Sequence, residues 1–243
     1  MVTTGQGGLR VAIDGPGSSG KSSVGMAVAS SLGYRFCDTG LLYRAIAWLA
    51  IRRGVALDDG PAAAALASEV VLAADREGRL SRVRVADEDV TRKVRGAAVD
   101  RHVSTVAREP EVRAALIPVQ RALAAVGGIV MVGRDIGTVV LPDAEVKVYL
   151  DASARERARR RTLERGLDPE SAEAAAILAD LERRDATDAG RAVAPLRPAD
   201  DALILVTDGV PFDAVVERVV QRVAERVRPG AIGQSGRGAH DDG

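Results

Sequence analysis

Residues 9–22, LRVAIDGPGSSGKS, constrain this chain more than any other stretch. Leu9 to Ile13 is an apolar run carrying Val and Ile, the pattern of a buried strand. It leads into Gly15-Pro16-Gly17-Ser18-Ser19-Gly20-Lys21-Ser22, which fits G-x-x-x-x-G-K-[ST] without a gap. From Ser23 onward, Val24, Ala27, Val28 and Leu32 fall at helical spacing. Strand, glycine loop and helix together make a phosphate cradle. The glycines reach backbone angles that other residues avoid and carry no side chain to block an anion. Loop N–H groups can therefore turn inward, and the positive end of the helix faces the same point. Lys21 supplies a point charge for the β and γ phosphates, and the Ser22 hydroxyl can ligate Mg²⁺. The expected nucleotide-binding set is Gly15, Pro16, Gly17, Ser18, Ser19, Gly20, Lys21, Ser22 and Ser23.

The rest of the chain narrows the classes of partner. At 243 residues it suits one domain with an insertion. Formal net charge is zero, so no general field draws in nucleic acid or an anionic membrane. Six aromatic residues are too few for a base-stacking platform. No apolar run reaches membrane-spanning length, residues 1–8 do not read as a signal peptide, and Cys37 has no partner for an internal disulfide. A cytoplasmic setting is the expectation. Only Lys21, Lys93 and Lys147 are lysines among 34 basic residues, so a lone arginine carries little information.

Taken in order, the chain alternates strands and helices. Tyr34 to Cys37 reads as a strand, and Leu41 to Arg53 as a helix stopped by Gly54. Residues 55–103 break the alternation: an alanine-rich helical segment precedes short antiparallel strands around Val70–Leu72, Arg82–Val85 and Asp87–Glu88. Ser104 to Ala125 reads as a helix bent or segmented by Pro110 and Pro118. Gly128 to Val132 and Glu145 to Leu150 are further buried strands. A capping box, Ser153-Ala-Arg-Glu156, opens the next helix. Another is expected to start at Asp168-Pro169 and run to about Arg184. Ala202 to Val206 is a last strand and Phe212 to Val227 a closing amphipathic helix. Residues 229–243, rich in glycine and polar groups, read as a disordered tail.

Five apolar strands alternating with helices predict an α/β fold, an open five-stranded parallel sheet flanked by helices. Ligands of such sheets bind at the carboxyl ends of the strands. Asp14-Gly15, Asp38-Thr39 and Gly133-Arg134-Asp135 all follow strand ends and should meet in one crevice. Arg44, inside the helix after Asp38-Thr39, could reach a phosphate across it; alone, it reads more readily as a solvated helix arginine. Arg134 and Asp135 could meet a phosphate and an amino group, or pair with other protein groups. The run from Glu182 to Leu196, with Arg184, Asp188 and Arg191, suggests a mobile lid or a charged surface helix. Phosphoryl transfer would explain why these clusters meet. Cations stabilise the charge on the transferred group, and closure excludes water.

The stretches IDGPGSSGKSS, DTGLLYRA, VGRDIGTVVLPDAEVKVYLDAS and RRDATDAGRAVAPLRPADDAL, in this order, resemble the bacterial cytidylate kinase family over residues 10 to about 226. The resemblance implies the P-loop kinase fold and transfer of the γ-phosphoryl group of ATP, with Mg²⁺, to CMP or dCMP. It also implies a monomer. It implies one kinase domain over 1–228, with a monophosphate-binding insert at about 60–103 and a helical lid at about 153–195. Arg44 and Arg134 would bind the acceptor phosphate. Thr39, Ser104, Arg113 and Asp135 would line the cytosine pocket. Arg184 and Asp188 would lie near the acceptor sugar, and Arg191 would be a lid arginine. Lys21, Arg134, Arg184 and Arg191 would be catalytic. Two features depart from the family: Ala186-Thr187 and Ala189-Gly190 leave the lid less charged than is common, and the tail lies beyond the match.

The base pocket is sensible chemically. A carboxylate takes an amino group at cytosine N4, while an arginine serves N3 and O2. Uracil reverses the pattern at O4 and N3 and leaves buried groups unpaired. Two other readings stay open: a kinase of the same fold acting on UMP or a non-nucleotide acceptor, and a regulatory module that binds ATP or GTP without transfer.

Overall fold

A computed structural model describes residues 8–191 and 193–227. Its main sheet holds β1 (Arg10–Asp14), β2 (Arg35–Asp38), β6 (Ile129–Val132), β7 (Val146–Asp151) and β8 (Leu203–Val206). The order is β2-β6-β1-β7-β8, every pairing parallel. This is the expected open parallel sheet flanked by helices. β1 lies at its centre, with Ile13 in register with Val132 on one side and Val148 on the other.

Alternation along β1 sends its side chains to two cores. Val11 and Ile13 pack with α1 (Lys21–Leu32) and α8 (Phe212–Val227), through Val24, Val28, Val219 and Val223. Ala12 faces the other way, towards Cys37, Met131 and Val140. Each large apolar side chain fully buried here, such as Ile13 or Phe36, contributes about 1.5–3 kcal/mol. β8 is an edge strand, and Ile204 and Val206 remain exposed.

The segment between β2 and β6 builds a third core. It contains α2 (Gly40–Arg53), α3 (Gly60–Ala65), the antiparallel strands β3 (Val70–Ala73), β4 (Arg82–Val85) and β5 (Glu88–Asp89), α4 (Ala97–Arg108) and α5 (Pro110–Ala124). The three short strands match the sequence reading. The expected helix from Ser104 instead begins at Ala97 and ends at Arg108. Glu109 is extended, the conformation favoured before proline, and Pro110 opens α5. Pro118 does not interrupt α5. It and Ala114, whose carbonyl it leaves free, are both exposed, so water can take that carbonyl.

α6 (Ala154–Glu164) and α7 (Ala172–Ala189) pack on each other through Ala158, Ile177 and Leu181. Ser153 Oγ accepts from Glu156 N, but the reciprocal half of the capping box is absent. The Glu156 carboxylate pairs with Arg159 and Arg160, and Ser153 N donates to Asp208. α7 starts later and ends later than expected. Asp168 and Pro169 form the preceding turn, Ser171 caps the helix by accepting from Ala174 N, and the helix runs on to Ala189. Among the described residues no helix is long and apolar enough to cross a membrane. The expected disordered tail at 229–243 lies outside the described residues.

Candidate active site

β1 delivers the chain into the glycine loop at Asp14. Gly15 has φ +147°, and a Cβ there would stand 2.0 Å from the Leu150 carbonyl oxygen, so only glycine lets the loop pass β7. Gly20 is left-handed, at φ 90°, and turns the chain into α1 without any side chain capping the helix. The first-turn N–H groups of α1 therefore face the loop's hollow. Lys21 is buried and folds back over this hollow, Nζ donating to Pro16 O at 2.6 Å and Ser19 Oγ at 3.3 Å. Burial, and next the nearby Arg134 charge, hold the Lys21 ammonium well below its ordinary pKa. Asp38, Asp14 and Asp188 oppose both effects, and a phosphate placed here would favour the charged form further.

Three strand ends converge beside the loop. Ser22 Oγ donates to Asp38 Oδ2 at 3.1 Å, and Asp38 Oδ1 accepts from Gly40 N at 3.1 Å. Asp14 accepts from Ile136 N and Gly137 N, each at 2.7 Å. These two amides belong to a single π-helical turn, Ile136–Val140, that follows Arg134 and Asp135. One carboxylate thus ties the glycine loop's strand to the segment carrying both charged residues. Burial pushes the Asp14 carboxyl up to about 6, against the lowering effect of the two amides.

The glycine loop and these strand ends open into one crevice of about 730 Å³. Every expected site residue lines it except Gly15 and Pro16. At one end Arg113 and Asp135 make an ion pair with both side chains almost wholly buried. Desolvation raises the Asp135 pKa even with Arg113 beside it. The Arg113 guanidinium lies 5.9 Å from the centroid of the Tyr43 ring, and Ser104 lines the same end. Arg134 Nε donates to Asp188 Oδ2 at 3.0 Å, and Arg191 pairs with the other Asp188 oxygen. Burial opposes the Asp188 charge, yet Arg134 and Arg191 hold the carboxyl below its usual value. Arg184 is pushed down to about 10, first by burial and then by Arg134 and Arg44. The Nε atoms of Arg113, Arg184 and Arg191 are buried without a hydrogen-bond partner. All three belong to residues that line the crevice.

Some expectations need refinement. Thr39 is buried, but its hydroxyl donates to Val132 O at 2.9 Å, so its proton is committed to the main chain. Arg44 is not a solvated helix arginine. It donates to Val94 O at 3.1 Å and to Asp100 at 2.7 Å. Sequence reading gave no role to Asp38, Asp14 or the α6 arginines. Arg157 donates to Gly17 O at 3.1 Å and pairs with Asp185, while Arg160 reaches Thr207. Their only sequence signal was position, at a strand end or in a basic run, and in an arginine-rich chain a basic run says little.

Known proteins resemble this chain along most of its length. The family model described as cytidylate kinase matches residues 11–225. A cytidylate kinase of Pelotomaculum thermopropionicum is 47% identical over 216 residues, 88% of this chain and 95% of its own. One from Rhodococcus opacus is 45% identical over 219 residues, 90% of this chain and 96% of its own. Among solved structures, a gluconokinase from Sinorhizobium meliloti aligns over 90% of this chain and 93% of its own, with a TM-score of 0.48 and 16% identity. A match over nearly the whole length, with the glycine loop and the paired charges opening into one crevice, leads to one assignment: the chain belongs to the cytidylate kinase family.

Proposed function

We propose that the chain transfers the γ-phosphoryl group of ATP to CMP or dCMP, giving ADP and CDP or dCDP. The observation that carries this reading is the shared crevice: the glycine loop, Arg134, Arg184 and Arg191, and the buried Arg113–Asp135 pair all line it.

The glycine loop, Lys21 and the N-terminus of α1 hold the triphosphate of ATP. Ser22 Oγ and the Asp38 carboxylate, already within hydrogen-bonding distance of each other, are oxygen donors suited to Mg²⁺, which keeps several waters and needs few protein ligands. When bound, Mg²⁺ neutralises charge on the β and γ phosphates. At the acceptor end, Asp135 accepts from cytosine N4 while Arg113 donates to N3 and O2, with Ser104 and Thr39 on the pocket wall. Arg44 and Arg134 bind the acceptor phosphate, Arg184 and Asp188 lie at the sugar, and Arg191 comes in from the lid region. Arg134, Arg184 and Arg191 stand in a desolvated crevice, where fixed cations stabilise the charge that spreads over the transferred group. We take the insert at about 60–103 to be the monophosphate-binding subdomain and the α6–α7 region, about 153–195, to be the lid. We take the active form to be a cytoplasmic monomer whose partners are small nucleotides, not nucleic acid.

The test is the initial rate of ADP formation with Mg·ATP and, in turn, CMP, dCMP, UMP, AMP, GMP or no acceptor. Turnover led by CMP and dCMP is expected. Turnover led by UMP or AMP would keep the kinase but reject the Arg113–Asp135 assignment. Absence of acceptor-dependent turnover would leave only an ATP-binding module.

A further inference from the structure

Asp100 lies on α4 outside every expected site position, yet it is the most heavily engaged carboxylate beside the crevice. Its Oδ1 accepts from Arg44 on α2 at 2.7 Å. Its Oδ2 accepts from Arg161 on α6 at 2.6 Å, and from Arg165, just past the end of α6, at 2.8 Å. Arg184 on α7 stands 4.0 Å from Oδ1. Among the described residues, Arg44, Arg165 and Arg184 have no other carboxylate within ion-pairing distance; Arg161 has only the more distant Glu164, at 3.4 Å. One buried carboxylate therefore serves four guanidinium groups drawn from both walls of the crevice.

Its place relative to those groups is informative. Arg44, Arg161 and Arg184 line the crevice, whereas Asp100 and Arg165 do not. Asp100 thus sits behind the three arginines rather than in the space a ligand would fill. Charge-assisted hydrogen bonds to a fixed carboxylate restrict guanidinium rotamers and offset the repulsion between neighbouring cations. Without Asp100, Arg44 and Arg184 would be mutually repelling cations, each already disfavoured by burial. They would turn towards water and lose their common aim.

We propose that Asp100 is a positioning residue for phosphoryl transfer: through Arg44 on one wall and Arg161, Arg165 and Arg184 on the other, it joins the acceptor-phosphate site to the α6–α7 pair. This rests on the acceptor assignment above. Acceptor phosphate and the α6–α7 helices then depend on the same anion, so the site for the acceptor is complete only when those helices are seated against α4.

The test compares Asp100→Asn, which keeps volume and removes charge, with Asp100→Glu, which restores charge on a longer arm. Steady-state kinetics should show kcat/KM for CMP lowered roughly 10- to 100-fold in the Asn variant, as expected of cations misplaced by about 1 Å, and partly recovered in the Glu variant. Calorimetric titration with inorganic phosphate should show binding weakened about tenfold or more in the Asn variant. That readout does not depend on which nucleotide is the acceptor, so it still decides the matter if the acceptor panel overturns the CMP assignment. Equal or tighter phosphate and CMP binding in the Asn variant would overturn the proposal, making Asp100 a bystander or a competitor for the arginines. A purely structural role would lower thermal stability and leave both readouts unmoved. Should the Asn variant fail to fold, Arg165→Gln decides: this residue is a third exposed and lies off the crevice. It should raise the KM for CMP severalfold, and an unchanged KM would overturn the bridge.

Discussion

Replacing Arg113 with methionine strips the countercharge from an Asp135 side chain that is only 6% exposed. An unpaired buried carboxylate costs about 3–5 kcal/mol, against near-neutrality when both partners of such a pair become apolar. In a chain of this length, roughly 2–4 °C of melting temperature goes with each kcal/mol, so Arg113→Met should melt about 6–20 °C lower. Asp135→Leu should cost a similar amount, since it strands a guanidinium that is 2% exposed. The double variant Arg113→Met/Asp135→Leu should return to within about 1 kcal/mol of the parent, giving a coupling energy of several kcal/mol in a double-mutant cycle. The sign of the pH dependence follows from the same picture. Burial already raises the Asp135 pKa, and losing Arg113 raises it further. The folded state then binds the proton more tightly than the unfolded chain, so the single variant loses stability as pH climbs from the ordinary carboxylate range through the raised value. Urea unfolding of the four proteins at pH 5 and pH 8 measures all of this. Single variants that each cost under about 1 kcal/mol would refute the claim of a desolvated pair. A double variant that is stable yet still turns over CMP selectively would refute the pair's role in reading the base.

Two further predictions concern groups held against their preferences. Lys21→Met should lower kcat about 10²–10³-fold, because it removes the cation that lies over the glycine loop; a variant with near-parental kcat would contradict the account of Lys21. Asp14 has a folded-state pKa near 6 against an ordinary 3.8, so its contribution to stability is greatest below about pH 4 and declines by about 3 kcal/mol as pH rises to about 6. Asp14→Asn should remove that part of the pH dependence, seen as the difference between the two stability–pH curves, and parallel curves would show that the carboxyl is not perturbed.

Much of the fold was legible because its signals are local. Val11 to Ile13, the glycine loop and the valine stripe of α8 each report on their own surroundings. Where the reading erred, a local signal was outweighed by packing or solvent. Pro118 sits in a continuous helix because its freed carbonyl faces water, and Asp168-Pro169 forms a turn because Ser171 caps the helix three residues on. The lid helix runs past Arg184 to Ala189 and brings Asp188 to Arg134.

The sequence by itself determined the phosphate cradle. Its glycine backbone angles, lysine, hydroxyl and helix N-terminus all lie within eight residues, so adjacency in the chain is adjacency in space. Tertiary structure alone decided which charges became partners. Arg113 meets Asp135 across 22 residues, Arg134 meets Asp188 across 54, and Asp14 reaches the amides of Ile136 and Gly137 across more than 120. Asp100 gathers arginines 56, 61 and 65 residues away. With arginine the default cation, no single position announced these pairings. They were selected by the packing of α2, α4, α6 and α7 around one crevice, where burial makes an unpaired charge costly.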